Sequence, residues 1–147
     1  PTLATLNHQW RQEIGRTNAG FAGVRWEREV EVEVVTLDDL IAHYGVPAFC
    51  KIDVEGAEEG VLAGLSQPLP ALSFEYVSGS EGRALACIQR LQALGDYRFN
   101  ATIGEQRRMV SAAWQSAEWM HDWLLGNAAS AGSGDVYARQ LNGGSGR

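Results

Sequence analysis

The stretch FCKIDVEGAEEGVLAGL, Phe49 to Leu65, carries the information that decides the fold. An apolar run holds charges at alternate positions, Lys51, Asp53 and Glu55, until Gly56 turns the chain into a segment of helical character. A two-residue period is the mark of a strand. Glu58 and Glu59 then fall in the first turn of a helix, where the positive end of the helix dipole favours them. Val61, Leu62 and Leu65 supply that helix with an apolar stripe. The charges of interest therefore lie where a strand gives way to a turn.

Upstream, TLDDLIAHYGVP predicts a helix of about two turns. Thr36 is its cap, Asp39 completes a Thr-x-x-Asp capping box, and Gly45 with Pro47 ends it. EVEVEVV, Glu29 to Val35, alternates Glu and Val and predicts an edge or near-edge strand with one wet face. Residues 1–28 form a poorly defined lead-in, with a weak helical pattern in Leu6, Trp10 and Ile14.

Downstream, PALSFEYV reads as a largely apolar strand with Glu75 its interior charge. Ser80 opens a helix with Leu85, Ile88 and Leu91 on one face and Gly95 as its stop. YRFNATI and DVYARQL are two further strands. Between them SAEWMHDWLLGN predicts a helix capped by Ser116 and stopped by Gly126, with Trp119 and Trp123 sharing a face as core packing or as a pocket wall. ASAGSGD reads as a flexible loop, since its glycines lead into a strand, and residues 142–147 as a flexible tail. Strand and helix alternate through the first part, the rhythm of a parallel sheet covered on both faces. The last two strands break that rhythm.

A chain of 147 residues is one domain's worth of material. Its net charge of −6 and pI near 5 argue against a nucleic-acid surface. Arg107-Arg108 is ordinary solvated surface on this reading. No apolar run approaches the roughly 18 residues of a membrane span. Cys50 and Cys87 lack metal or redox spacing and read as buried, reduced thiols, which suits a cytoplasmic protein. His8, His43 and His121 sit on separate segments without ligand spacing, so no metal site is expected.

In open α/β sheets ligands bind at the carboxyl ends of the strands, where Asp53 to Gly56 falls. A carboxylate there can accept a proton from a nucleophile, bind a cationic cofactor, or join Glu55 around a divalent cation. The spacing alone leaves these readings open beside a purely structural one, in which the charges cap the strand.

VTLDDLIAHYGVPAFCKIDVEGAEEGVLAGL resembles the FkbM family of S-adenosylmethionine-dependent methyltransferases: a Thr-Leu-Asp helix opening, then Lys-Ile-Asp-Val-Glu-Gly with Glu two residues on. PALSFEY, LGDYRFN and DVYAR are similar to later parts of that family. The resemblance implies a Rossmann-like class I methyltransferase sheet, mainly parallel, with an antiparallel pair of strands at the C-terminal end. In it Asp53 and Glu55 face the sulfonium and the acceptor hydroxyl. Asp53 is the first candidate base and cofactor ligand, Glu55 the second and Glu75 the third. The family's glycine-rich turn after strand one and its ribose-binding acid have no counterpart before Glu29. The implied domain is therefore incomplete at its N-terminus, with the main S-adenosyl-L-methionine elements expected upstream.

The expected activity is O-methylation of a hydroxyl on a sugar or secondary metabolite, the acceptor being a small molecule or glycan. Two alternatives stand beside it. One is a non-enzymatic interaction module that forms a homodimer through an exposed sheet edge. The other is a metal-dependent hydrolase using Asp53 and Glu55.

Overall fold

Thr36 stops the chain in an extended conformation and accepts the amide of Asp39, whose carboxylate accepts the Thr36 amide in return. Those two bonds satisfy amides that a helix start leaves without partners. The same hydroxyl holds the Asp39 carboxyl below its usual range. A computed structural model describes residues 5, 7–19, 22–25 and 30–141 and shows the helix so started. It is the second of five helices and four strands among the described residues.

Helix α1 spans His8–Thr17, its weak pattern resolving into a buried pair, Trp10 and Ile14; Leu6 lies outside the described residues. Helix α2 is Leu37–Tyr44, followed by strand β1, Cys50–Ile52, and helix α3, Glu58–Ala63. Strand β2 is Ala71–Val77, helix α4 Glu81–Leu94 and strand β3 Tyr97–Ala101. Helix α5, Ala117–Ala131, and strand β4, Ser133–Gln140, complete the order.

The sheet runs β1-β2-β4-β3. Only β1 and β2 pair in parallel, with Ile52 opposite Phe74; β4 lies antiparallel to both β2 and β3. The antiparallel end is as the sequence predicts, but the parallel majority does not appear among the described strands. The strand expected over Glu29–Val35 is not formed either. Glu29 lies outside the described residues, and residues 30–35 have no regular structure, with Val30 70% and Val34 71% exposed. An alternating sequence becomes a strand only against a neighbour, and no described strand lies on the outer side of β1.

Three helices cover one face. Leu62 of α3, Ile88 and Leu91 of α4, and Met120 and Leu124 of α5 pack on Ile52, Leu72, Phe74, Val136, Ala138 and Phe99. The opposite face carries Lys51, Ser73, Glu75, Asp135 and Tyr137, and α1 meets it at Val77. The predicted two-sided cover is thus uneven among the described residues: α3, α4 and α5 lie on one face, and α1 meets the other at Val77. Alternation places the polar side chains of β2 and β4 on that second face.

Two downstream stop signals are overridden. Gly126 does not end α5, which continues to Ala131 because Asn127 and Ser130 satisfy local carbonyls. The predicted loop ASAGSGD is instead the helix end, a turn at Gly132 with φ +79°, and the start of β4. Ser116 does cap α5, accepting the Trp119 amide at 3.2 Å. Ser80 makes no side-chain cap, and Glu81 accepts the Gly79 amide instead. Trp119 and Trp123 pack on the core, Trp123 edge-on to Tyr76 at 5.7 Å, which favours packing over a pocket wall.

Cys87 is buried and Cys50 half-buried, both as free thiols, and burial pushes the Cys87 thiol up to about 12. His8, His43, His121, Arg107 and Arg108 are exposed. No described helix is long and apolar enough to cross a membrane.

Gly56 ties α1 to the sheet. At φ +90° it adopts a conformation that L side chains avoid, and a Cβ there would clash with the Trp10 ring. Gly56→Ala should lower unfolding stability by about 2–4 kcal/mol in urea titration, strain and overpacking combined. A loss under about 0.5 kcal/mol, the ordinary surface value, would show that α1 does not seat on this turn.

Candidate active site

The turn after β1 is held from three sides. Glu58, in the first turn of α3 and only 4% exposed, accepts the amides of Gly56 at 3.1 Å and Val54 at 3.3 Å. Thr5 donates its hydroxyl to the Glu55 carbonyl at 2.5 Å, and Asn7 donates to the Gly56 carbonyl at 2.6 Å. Arg83 of α4 donates to that same carbonyl at 3.3 Å. Glu55 is thereby kept at φ +51°, a left-handed conformation uncommon for glutamate. Such an over-determined backbone aims a side chain instead of letting it sample solvent.

Asp53, Glu55 and Glu75, the three candidate residues of the sequence, come together here. Each offers an oxygen, and these oxygens lie within 4.8 Å of one another. Asp53 follows directly on Ile52, whose partner is Phe74, so it sits alongside Glu75 on the polar face. Glu55 Oε2 is buried without a hydrogen-bond partner, as is Ser73 Oγ. The cation placed among the carboxylates is Lys51. Its ammonium lies 3.3 Å from Asp53 Oδ2 and 3.1 Å from Asp135 Oδ1. Burial lowers the Lys51 pKa, but the hydrogen bond and charge of Asp135, with Asp53, outweigh it and raise the net value.

Crowded carboxylates with little water cannot all ionise. Burial pushes the Glu75 carboxyl up to about 8, helped by the charges of Glu55, Asp53, Glu58 and Asp135. Burial, then the Asp53 and Glu58 charges, raises Glu55 as well. Glu75 is therefore a protonated acid at neutral pH. Such separation of proton affinities within one carboxylate group is the arrangement from which acid and base roles are built.

Asp135 and Glu58 belong to this arrangement and were not among the sequence candidates. Asp135 lies 84 residues from Lys51 and enters only because β4 inserts beside β2, opposite Glu75. Glu58 was read as a helix-dipole residue, and its place two residues after Gly56 was the available signal. A groove between α4 and α5, lined by Leu85, Gln89, Glu118 and His121, lies on the helical side away from these carboxylates.

Glu75 makes stability depend on pH with a definite sign. From its ordinary 4.5 up to about 8 the unfolded chain has released this proton while the folded chain keeps it. Folding stability then falls as pH rises through that window. Glu75→Gln should flatten that fall and be more stable at pH 9 by about 1–2 kcal/mol, after discounting for partial solvent exposure. Thermal unfolding at pH 5, 7 and 9 checks this; parallel curves for wild type and variant would contradict it.

Chemically, the site offers a strand-end carboxylate, a neutral carboxyl beside it and an unpartnered carboxylate oxygen, at the place where α/β sheets bind ligands. No curated protein matches this chain. The methyltransferase FkbM domain matches residues 3–109, which span α1 through β3 and include Asp53, Glu55 and Glu75. That match takes in most of the chain, which therefore belongs to the FkbM methyltransferase domain family.

Proposed function

We propose that the chain serves an S-adenosylmethionine-dependent methyltransferase that methylates a hydroxyl oxygen of a small molecule or glycan, such as a sugar or secondary metabolite. The observation that carries this reading is the convergence of Asp53, Glu55 and Glu75 at the carboxyl end of β1, inside the family's matched region. S-adenosylmethionine, when bound, supplies a methyl group made electrophilic by a positively charged sulfur. Concentrated carboxylate charge at Asp53 and Glu55 fits that cationic end. For the adenosine, no strand, glycine-rich turn and helix lie ahead of β1 among the described residues, so the fit is to the charged end of the donor.

Asp53 is the proposed base, exposed enough to meet an acceptor. It takes the hydroxyl proton as that oxygen gains the methyl group. Glu75, protonated, can donate a hydrogen bond to the acceptor oxygen, and the fixed turn at Glu55 and Gly56 supplies orientation. Displacement at carbon requires aligned partners, so positioning carries much of the rate.

A second reading, an interaction module that dimerises along β1, has one observation in its favour. The outer edge of β1 has no neighbour among the described strands, while Val30, Val32 and Val34 stand more than half exposed. Light scattering separates it, because a stable monomer at high concentration removes it.

Calorimetry with S-adenosylhomocysteine tests the main reading, on the chain alone and on the chain extended by whatever its gene encodes upstream. Binding is expected in at least one form, and no heat in either removes the reading. In a form that turns over, Asp53→Asn should lower kcat about 10²–10⁴-fold while leaving the KM for the methyl donor within a few-fold. An unchanged kcat would reassign the base.

A further inference from the structure

Lys51 does more than neutralise its neighbour. It stands on β1, and Asp135 stands on β4, with β2 between them. To reach Asp135 Oδ1 at 3.1 Å and Oδ2 at 3.4 Å, its side chain must cross the whole width of the middle strand. The crossing is diagonal, from the row of Ser73, paired with Lys51 and Tyr137, to the row of Glu75, paired with Asp135. Ser73 is 1% exposed and its hydroxyl has no partner.

The bridge has a consequence for the carboxylates along this face. Glu75 lies between Asp53, which follows the end of β1, and Asp135, opposite it on β4. Lys51 pairs with both outer acids and has no contact of that kind with the middle one. Resting on the methyltransferase reading above, we infer that Lys51 is a positioning residue: by bridging Asp53 and Asp135 across β2, it fixes Asp53 as proton acceptor and leaves Glu75 as the proton-bearing partner. The hydroxyl proton then moves to Asp53, and Glu75 keeps its own. Without the bridge, adjacent carboxyls would share protons, and no single one would hold the base role.

Among the described residues the charged groups that face this set are few. Lys51 comes from β1, Asp53 and Glu55 from the turn after it, Glu58 from α3, Glu75 from β2 and Asp135 from β4, while Arg83 of α4 is turned to the Gly56 carbonyl. Lys51 is thus the cation in ion-pair contact with the row, and its removal has no evident substitute among them.

Carboxyl-carbon NMR titration of the chain as it stands tests this without any ligand. Lys51→Met should turn the single Glu75 step near 8 into a titration spread over more than one step, as its proton comes to be shared with the neighbouring carboxyls. Lys51→Arg should keep the single step. A single Glu75 step in Lys51→Met, or a split step in Lys51→Arg, overturns the inference. If Lys51→Met does not fold, Lys51→Gln takes its place. Failure of both to fold overturns it too, because Lys51 would then be a structural residue. A negative S-adenosylhomocysteine calorimetry would remove the methyltransferase reading but leave the titration result standing, so the two failures are distinguishable.

Discussion

Strand β2 is the constraint on which the rest depends. It pairs in parallel with β1 and antiparallel with β4, so its two edges are both satisfied by backbone hydrogen bonds. Its side chains divide by alternation: Leu72, Phe74 and Tyr76 enter the core, while Ser73 and Glu75 face the other way. One strand therefore roots the apolar packing of α3, α4 and α5 and at the same time places the middle carboxyl of the site. A register slip of one residue would exchange those two sets and lose both.

The site inherits its electrostatics from that position. A glutamate in the middle of a sheet has neighbours on both sides, and here Asp135 faces it from β4 while a carboxylate oxygen of Asp53, just past β1, lies within 4.8 Å of one of its own. Water reaches it poorly, so its proton is retained well above the usual carboxylate range. The outer aspartates have Lys51. What separates the acids is thus strand geometry combined with a single cation, and the turn beyond β1 is clamped by Glu58, Thr5, Asn7 and Arg83 so that Glu55 joins them at a defined angle.

The elements with strong local signals were legible. The Thr36 and Asp39 capping box, the turn at Gly56 and the helical face of Leu85, Ile88 and Leu91 form as their residues dictate, because each is stabilised by contacts within a few residues. The Glu29–Val35 alternation was equally strong yet forms no described strand, since its stabilisation has to come from a neighbour that the local sequence does not name. Gly126 failed as a stop because one glycine costs a helix only about 1 kcal/mol, and Asn127 and Ser130 add local hydrogen bonds beyond it.

The sequence by itself determined that Asp53, Glu55 and Gly56 end a strand and open a turn, because period, charge and glycine act locally. It also carried the family, through a contiguous motif. Only the tertiary structure decided that Glu75 stands between Asp53 and Asp135, that Lys51 spans β2 to reach Asp135, and that Glu58 is buried under the turn. Those relations join residues as many as 84 positions apart, and they follow from strand order. Strand order is set by long-range pairing and core burial summed over the whole chain, which no local pattern encodes.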